Sequence, residues 1–524
     1  MSIGLVKEML KLDRMIGSEN VQNLVESDIV VPDSKPDIYN ILSAQGRVNI
    51  TDKEIMQGKI VVDGTVDYKV LYASNDPDKI LHSMKASSNF TQNIEIDDID
   101  GIMVPEVNCS IENMDFSIMN ERKISVQTVL NINGKVFKTD EIDIVKEVEG
   151  LEDVQALKNT IKYDNVISNS SSQTVLRENF ELGEEEAEIN EILEANGSVV
   201  VNEKRITDNK VIIGGNVNVN LLYATEEPRN PIHELKHEIP FTHFIEVPKA
   251  QENMDCIVDV KVDEIFTDIK KNLNEENKGY NVEVVLKAGA KVSNKTEKEV
   301  ILDAYSPSRK LNIQTQNLKF MKNIGNNSSH AVIKETIDTP SEYPNIFKVL
   351  TVKARPVVTD YKLIDNKNII EGFVDTNVLY MADNEEMQVY SFNQEVPFRH
   401  YVEVEGLNED MEADIKLDIE NVDYATINSK QIETKVSLNA SSEIRKEYEI
   451  EALINIEDLG EIDDDDNRAS ITIYFVQEGD NLWNIAKRYN TTVKEILETN
   501  EILDSEEIKM GDKIIIQKNY EYKL

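Results

Sequence analysis

Three stretches of this 524-residue chain follow one pattern. VVDGTVDYKVLYAS (61–74), IIGGNVNVNLLYAT (212–225) and IIEGFVDTNVLYMA (369–382) align on Gly64, Gly215 and Gly372. The first interval is 151 residues and the second 157. The same two offsets relate Leu42, Leu193 and Leu350, then Tyr72, Tyr223 and Tyr380, then Phe90, Phe241 and Phe398. Pro36 and Pro344 match, with Ala187 between them. The ungapped register covers about residues 20–96, 171–247 and 328–404. A chain with this self-similarity must build the same domain three times, and its length suits three to five domains.

Each copy reads as strands. Apolar and polar residues partly alternate in VDYKVLY and its equivalents, and Val and Tyr are frequent. Val374, Thr376 and Val378 share one face. A glycine recurring inside a strand signals a bulge or a close backbone approach. A short helical turn is expected before these strands, capped by Asp33 or Ser34, with Pro36 in its first turn and Ile38, Ile41 and Leu42 at helical spacing. Further strands close each copy, as in KISVQTVLNI (123–132) and QIETKVSLNA (431–440). The fold class is therefore mainly β, with three tandem sandwich- or barrel-like domains. The expected boundaries are 18–146, 171–300 and 328–448, with linkers at 147–170 and 301–327. Residues 1–17 read as an amphipathic helix with Ile3, Val6, Met9, Leu10 and Ile16 on one face, packed on the first domain or on a partner.

Composition narrows the function. The chain has 56 Lys+Arg against 98 Asp+Glu, a net charge of −42. A phosphate backbone or an anionic membrane surface would meet a like-charged protein, so neither is an expected partner. Cys109 and Cys256 lie in strand-like stretches and read as buried, inert thiols. The start, MSIGLVKEMLKLDRMIG, lacks the unbroken apolar run of a signal peptide, and no apolar stretch approaches a bilayer span. A soluble, cytoplasmic protein is the expectation.

Two apparent metal motifs fail on inspection. His233-Glu234-Leu235-Lys236-His237 satisfies HExxH, but that pattern needs a helix to bring both imidazoles to one zinc. Here it lies between strands and runs into Pro240, and extended backbone sets the two histidines roughly 13 Å apart. His243 and His400 read as neighbouring, non-equivalent positions of the repeat. The acid run EIDDDDNR (461–468) begins like a calcium loop, but Arg468 and Tyr474 stand where Gly and Glu are needed. A solvated acidic linker over 449–470 explains it. No catalytic group, metal or cofactor is expected, and the chain reads as non-enzymatic.

The last unit, 471–518, reads as β-α-α-β. Ile471–Val476 is a strand and Glu478-Gly479-Asp480 a turn. Asp480 or Asn481 caps a helix that buries Leu482, Ile485, Ala486 and Tyr489. Thr491 or Thr492 caps a second helix with Val493, Ile496 and Leu497 inside, and Lys513–Gln517 closes the unit. Trp483, the only tryptophan, follows the turn and is not placed clearly inside by the helical period. It is a candidate contact residue for protein or sugar, with packing on its own small domain as the plainer alternative.

Tyr474-x-Val476-x-x-Gly479-Asp480-Asn481-Leu482-x-x-Ile485-Ala486-x-x-Tyr489, then Asn500, then Ile508-x-x-Gly511-x-x-Ile514-x-Ile516 closely resembles the LysM module. Asn481 replaces the common Thr or Ser, and Gln517 the usual Pro. LysM modules bind N-acetylglucosamine polymers. By resemblance the binding positions are Gly479, Asp480, Asn481 and Leu482, then Asn500, Glu501, Ile502 and Leu503. Three repeats plus a terminal LysM also resemble the SipL-like (SpoVID-like) spore-envelope morphogenetic proteins, which carry SPOCS-domain repeats. That resemblance implies a mother-cell protein at the forespore surface, which joins a SpoIVA-type basement-layer ATPase to other coat proteins with the LysM as docking module. Peptidoglycan binding at the wall or cortex is the alternative it leaves open.

Overall fold

The computed structural model describes residues 4–74, 81–227, 231–383, 388–462, 470–502 and 508–517. The first repeat holds β1 (Gly4–Val30), β2 (Asn40–Met56), β3 (Lys59–Ala73), β4 (Leu81–Glu95), β5 (Val104–Asn120) and β6 (Lys123–Glu149). The second holds β7 (Gln155–Glu181), β8 (Glu191–Thr207), β9 (Lys210–Ala224), β10 (Ile232–Glu246), β11 (Asp255–Lys270) and β12 (Gly279–Tyr305). The third holds β13 (Arg309–Asp338), β14 (Ile346–Ile364), β15 (Lys367–Ala382), β16 (Val389–Glu403), β17 (Glu412–Asn428) and β18 (Gln431–Glu461). Each repeat makes two three-stranded antiparallel sheets, in the first copy β2-β3-β4 and β1-β6-β5. Alternate residues of the two central strands face each other: Ile60, Val62 and Val66 of β3 pack in one core with Ile124, Val126 and Leu130 of β6. The repeats are sandwiches.

The recurring glycines have a steric cause. Each sits opposite a bulge in the first strand of its sheet, between Ile50 and Asp52, Val201 and Glu203, or Val358 and Asp360. Each is also paired with the recurring phenylalanine, as Gly64 is with Phe90. A Cβ at Gly372 would stand 2.0 Å from the Val357 carbonyl oxygen, and one at Gly215 2.1 Å from that of Val200. The bulged backbone fills the space a side chain needs. Gly372→Ala is expected to lower stability by roughly 1–3 kcal/mol, read as a shift in the urea midpoint. A loss below about 0.5 kcal/mol, the range of an ordinary surface change, would contradict this account. The matching tyrosines and prolines also meet: Tyr72 donates to the Pro36 carbonyl and Tyr380 to that of Pro344, both at 3.0 Å.

The three repeats close into a ring. Arg47 binds the Asp263 carboxylate at 3.0 Å, Ser198 donates to the Glu420 carbonyl at 3.0 Å, and Arg355 donates to the Ile111 carbonyl at 2.8 Å. Arg47, Ser198 and Arg355 are related by the repeat offsets of 151 and 157. Each reaches into the bulge region of the fifth strand of the next repeat. This is one heterologous contact used three times around a pseudo-threefold axis within one chain. Leu42, Leu193 and Leu350 meet on that axis with Leu71, Leu222 and Leu379 in an apolar plug. The buried pair Lys353–Glu194 (2.6 Å, side chains 12% and 7% exposed) joins the third repeat to the second beside it.

Several sequence expectations are corrected. Residues 4–17 are not helical but belong to β1 and pair with the far half of β6. The buried residues there are Leu10 and Leu12, a two-residue period, while Met9 is 52% exposed. Residues 1–3 lie outside the described set. No helical turn precedes β2. Lys35 N–H bonds the Pro32 carbonyl in a turn, and Ile38 and Tyr39 donate to Glu121 and Ala73 in extended chain. The expected linkers at 147–170 and 301–327 are mostly strand, and β18 runs to Glu461, well into the expected acidic linker. The outer halves of β1, β6, β7, β12, β13 and β18 bundle into a stem. Its core joins Leu10, Leu12 and Ile144 to Ile161, Tyr163 and Val300 and to Leu318, Phe320 and Ala452. Residues 463–469, with most of the acid run, lie outside the described set.

His243 and His400, 157 residues apart, occupy equivalent positions after all. Each imidazole Nε2 lies 2.7 Å from a serine hydroxyl, Ser172 or Ser329, and so clasps the edge strands of the two sheets of its sandwich. Gln92, the first copy's counterpart, bonds Asn23 there instead.

Candidate partner-binding site on the terminal domain

The last unit consists of β19 (Ile471–Phe475), α1 (Leu482–Arg488), α2 (Val493–Asn500) and β20 (Lys513–Gln517), the expected β-α-α-β order. The strands pair antiparallel, Ile473 opposite Ile515. Asn481 caps α1 by accepting from the Asn484 N–H at 2.8 Å. Thr492 and Glu495 form a capping box on α2. The core is Val476, Leu482, Ile485, Ala486, Ile496, Ile514 and Ile516.

The structure places the predicted contact residues in two loops and shows what most of their side chains do. Gly479 turns the chain at φ +83°. The Asp480 carboxylate accepts from the Gln477 N–H at 2.8 Å and from the Tyr474 hydroxyl, and these bonds hold it below the usual carboxylate range. Leu482 is buried. Asn500 staples α2 to β20, donating to the Ile496 and Ile515 carbonyls at 2.8 Å and accepting from the Ile515 N–H at 2.7 Å. Glu501 ends α2 in the left-handed conformation at φ +54°, and Ile502 N–H bonds the Leu497 carbonyl at 3.1 Å. Leu503 lies outside the described residues. The polar side chains of Asp480, Asn481 and Asn500 therefore serve the local fold, so any sugar at these loops meets mainly their backbone.

Trp483 packs neither outward nor solely on its own domain. Its indole N–H donates to Asp303 Oδ2 at 2.8 Å, and its ring meets Tyr305 edge to face, centroids 4.9 Å apart. Lys487 binds both Asp303 carboxylate oxygens, at 2.7 and 2.8 Å. The Tyr305 hydroxyl donates to the Thr491 carbonyl at 2.9 Å, and burial pushes that phenol up to about 12. The domain is thus docked on the tip of the stem, at the end of β12. Sequence reasoning missed Asp303 and Tyr305 because 301–327 was read as linker. On the sixth strands Val145, Ile301 and Leu453 correspond, so the stem positions matching Tyr305 are Glu149 and Glu457, and one aromatic against two acids was the available signal. On the side of β19 turned away from its own core, Ile471 (58%), Ile473 (51%) and Phe475 (57%) form an exposed apolar stripe on alternate residues.

Elsewhere, HExxH lies within a strand, β10, and not between strands, and the extended backbone there keeps its two histidines apart. His237 Nε2 is 2.6 Å from the Tyr280 hydroxyl, and His233 is stacked on Tyr223. Among the described residues no group of three or more His, Cys, Asp and Glu could hold a metal ion. Burial pushes the Cys109 thiol up to about 12 and that of Cys256 to about 11, far from the thiolate range. Among the described residues no helix is long and apolar enough to cross a membrane.

Three β-sandwiches and a βααβ module define a chain built of binding domains. Residues 37–119, 188–270 and 345–427 each match the SipL, SPOCS domain family, and residues 474–517 match the LysM domain. Each SPOCS match spans the second to fifth strands of its repeat. The chain carries three SPOCS domains of the SipL type and a C-terminal LysM domain. No curated protein and no solved structure matches it. The LysM domain points to glycan binding and the SPOCS domains to a sporulation-related role.

Proposed function

We propose that the chain is a non-enzymatic scaffold of spore-envelope assembly. Its LysM domain docks a SpoIVA-type basement-layer ATPase at the forespore surface on the mother-cell side, and its SPOCS ring contacts other coat proteins. The observation that carries this reading is the apolar stripe Ile471, Ile473 and Phe475, exposed on a domain whose sugar-loop side chains are largely engaged by the fold. Contiguous exposed apolar residues on a small domain suit a protein partner. The LysM match favours a second reading, binding of peptidoglycan glycan at the wall or cortex.

The test compares the full chain with Ile473→Asp for binding to the purified ATPase and, separately, to peptidoglycan sacculi. The scaffold reading expects ATPase binding that falls at least about tenfold in the variant. Retention on sacculi with no ATPase binding would give the lead to the glycan reading.

A further inference from the structure

The sheet of the LysM domain has two strands, and its two outer edges differ. The edge of β20 is closed. The Asn500 side chain takes both main-chain groups of Ile515, accepting from its N–H at 2.7 Å and donating to its carbonyl at 2.8 Å. Those groups therefore point away from β19. In an antiparallel ladder, facing residues alternate between exchanging both hydrogen bonds and exchanging none. Ile473 faces Ile515, so that pair exchanges none. The same holds two residues to either side, where Ile471 faces Gln517 and Phe475 faces Lys513. The N–H and C=O groups of Ile471, Ile473 and Phe475 thus project from the outer edge of β19. Among the described residues the Phe475 carbonyl accepts from the Gln477 side chain at 3.0 Å, and the other groups of this edge have no protein partner.

The apolar stripe belongs to the same three residues. Their side chains stand on the face away from the helices, with Ile515 opposite Ile473, while Ile514 and Ile516 are buried beneath. Edge strands are ordinarily protected by a charge, a proline or a bulge. β19, Ile-Thr-Ile-Tyr-Phe, has none of these. A partner strand is the ligand whose main chain meets such an edge and whose alternate side chains cover such a stripe at the same two-residue period. The dock on the stem runs through Trp483, Lys487 and Thr491, so this edge is available in the docked chain. The net charge of −42 opposes a second copy of the chain and favours a partner with Lys or Arg beside its strand.

We infer that β19 takes its protein partner by strand addition: an extended segment, apolar at every second position and basic at its ends, pairs with Ile471–Phe475 and makes the sheet three-stranded. The inference deepens the scaffold reading and rests on it for the partner being a protein.

The test titrates the full chain with a fluorescent synthetic peptide of alternating valine and threonine flanked by lysines, and with the same peptide flanked by glutamates. The lysine-flanked peptide is expected to bind saturably, at least about tenfold more tightly than the other. Ile473→Ala trims the stripe and keeps the outward N–H. Ile473→Pro also removes that N–H, which β20 does not use. Affinity should fall at least about tenfold further in the proline variant than in the alanine variant, the scale of one or two main-chain hydrogen bonds. Unchanged Trp483 emission shows that the variant domain is folded. Amide exchange on the unmutated chain gives a second measurement that needs no variant. The Ile471 and Ile473 amides should exchange as open groups in the free chain and slow at least about tenfold with the lysine-flanked peptide bound. The inference is overturned if that peptide does not bind, if the folded proline and alanine variants bind it alike, or if exchange at these amides is unchanged. The basement-layer ATPase separates the inference from the scaffold reading. ATPase binding that the proline variant weakens no more than the alanine variant keeps the scaffold reading and overturns strand addition. Peptide binding with the expected proline effect, but no ATPase binding, supports strand addition and overturns the choice of partner.

Discussion

Lys353→Met is expected to cost roughly 3–5 kcal/mol of stability at pH 7.5, the scale for breaking a buried ion pair by removing one partner. The methionine keeps most of the apolar stem of the lysine, so the loss comes from Glu194. In the intact protein burial pushes the Glu194 carboxyl up. The Lys353 charge and hydrogen bond, with help from Asn196 and Lys69, outweigh that and hold it below its ordinary value. A lowered carboxyl pKa stabilises the fold above the unfolded-state value and stops doing so as pH falls through the folded one. With Lys353 gone, burial is largely unopposed and the carboxyl rises instead. A raised pKa makes the ionised form a burden, which lightens as pH falls and the group takes up a proton. The deficit against the intact protein should therefore be greatest near pH 7.5 and narrow by pH 5.5, read from urea midpoints at both. A loss under about 1 kcal/mol, the size of an exposed pair, or a deficit unchanged with pH would show that the pair is not what holds the second and third repeats together there.

Much of each repeat was legible because its constraints act within one copy, whereas the ring was not, because it is closed by contacts between copies. The glycines, phenylalanines and leucines that set the register all lie on the inner sheet, where a bulge, its facing ring and the axial plug leave little freedom. The stem was not legible. Its buried residues are few, and charged neighbours on exposed outer halves hide their two-residue period. Yet Leu10, Ile161 and Leu318 keep the offsets of 151 and 157, as do Leu12, Tyr163 and Phe320. The repeat thus reached through the segments read as helix and linkers. Substitution of apolar type within it, Leu for Tyr for Phe, obscured the match. The terminal module was legible almost residue by residue, since caps, turn and core all fall within one short unit. Its docking was not, because Asp303 and Tyr305 stand nearly 180 residues before Trp483. Local patterns carry no information about which of three similar stem edges a later domain will choose.

Tyr305→Ala is expected to release the LysM domain from the stem. The residue is 5% exposed, meets Trp483 edge to face and ties α2's start through Thr491. Truncating a buried aromatic costs on the order of 3 kcal/mol, which weakens docking about a hundredfold. The pseudo-equivalent edges offer no substitute, since Glu149 and Glu457 stand where Tyr305 would be and Glu147 and Asn455 where Asp303 would be. Asp303→Ala should act in the same direction by removing the acceptor of Trp483 and Lys487. Because Trp483 is the only tryptophan, its fluorescence reports docking directly. Emission should move to the red and acrylamide quenching should rise in both variants, while the far-ultraviolet β signal of the ring stays unchanged. Unchanged emission in Tyr305→Ala would mean that Trp483 is held within its own domain and that the stem contact contributes little. If release occurs, the scaffold reading makes a further demand. Ile471, Ile473 and Phe475 are exposed in the docked form, whose stem contacts run through Trp483, Lys487 and Thr491, so a partner that uses that stripe alone should bind the released and docked forms equally. A partner that also grips Trp483 must compete with Asp303 and Tyr305, and should bind the released form more tightly.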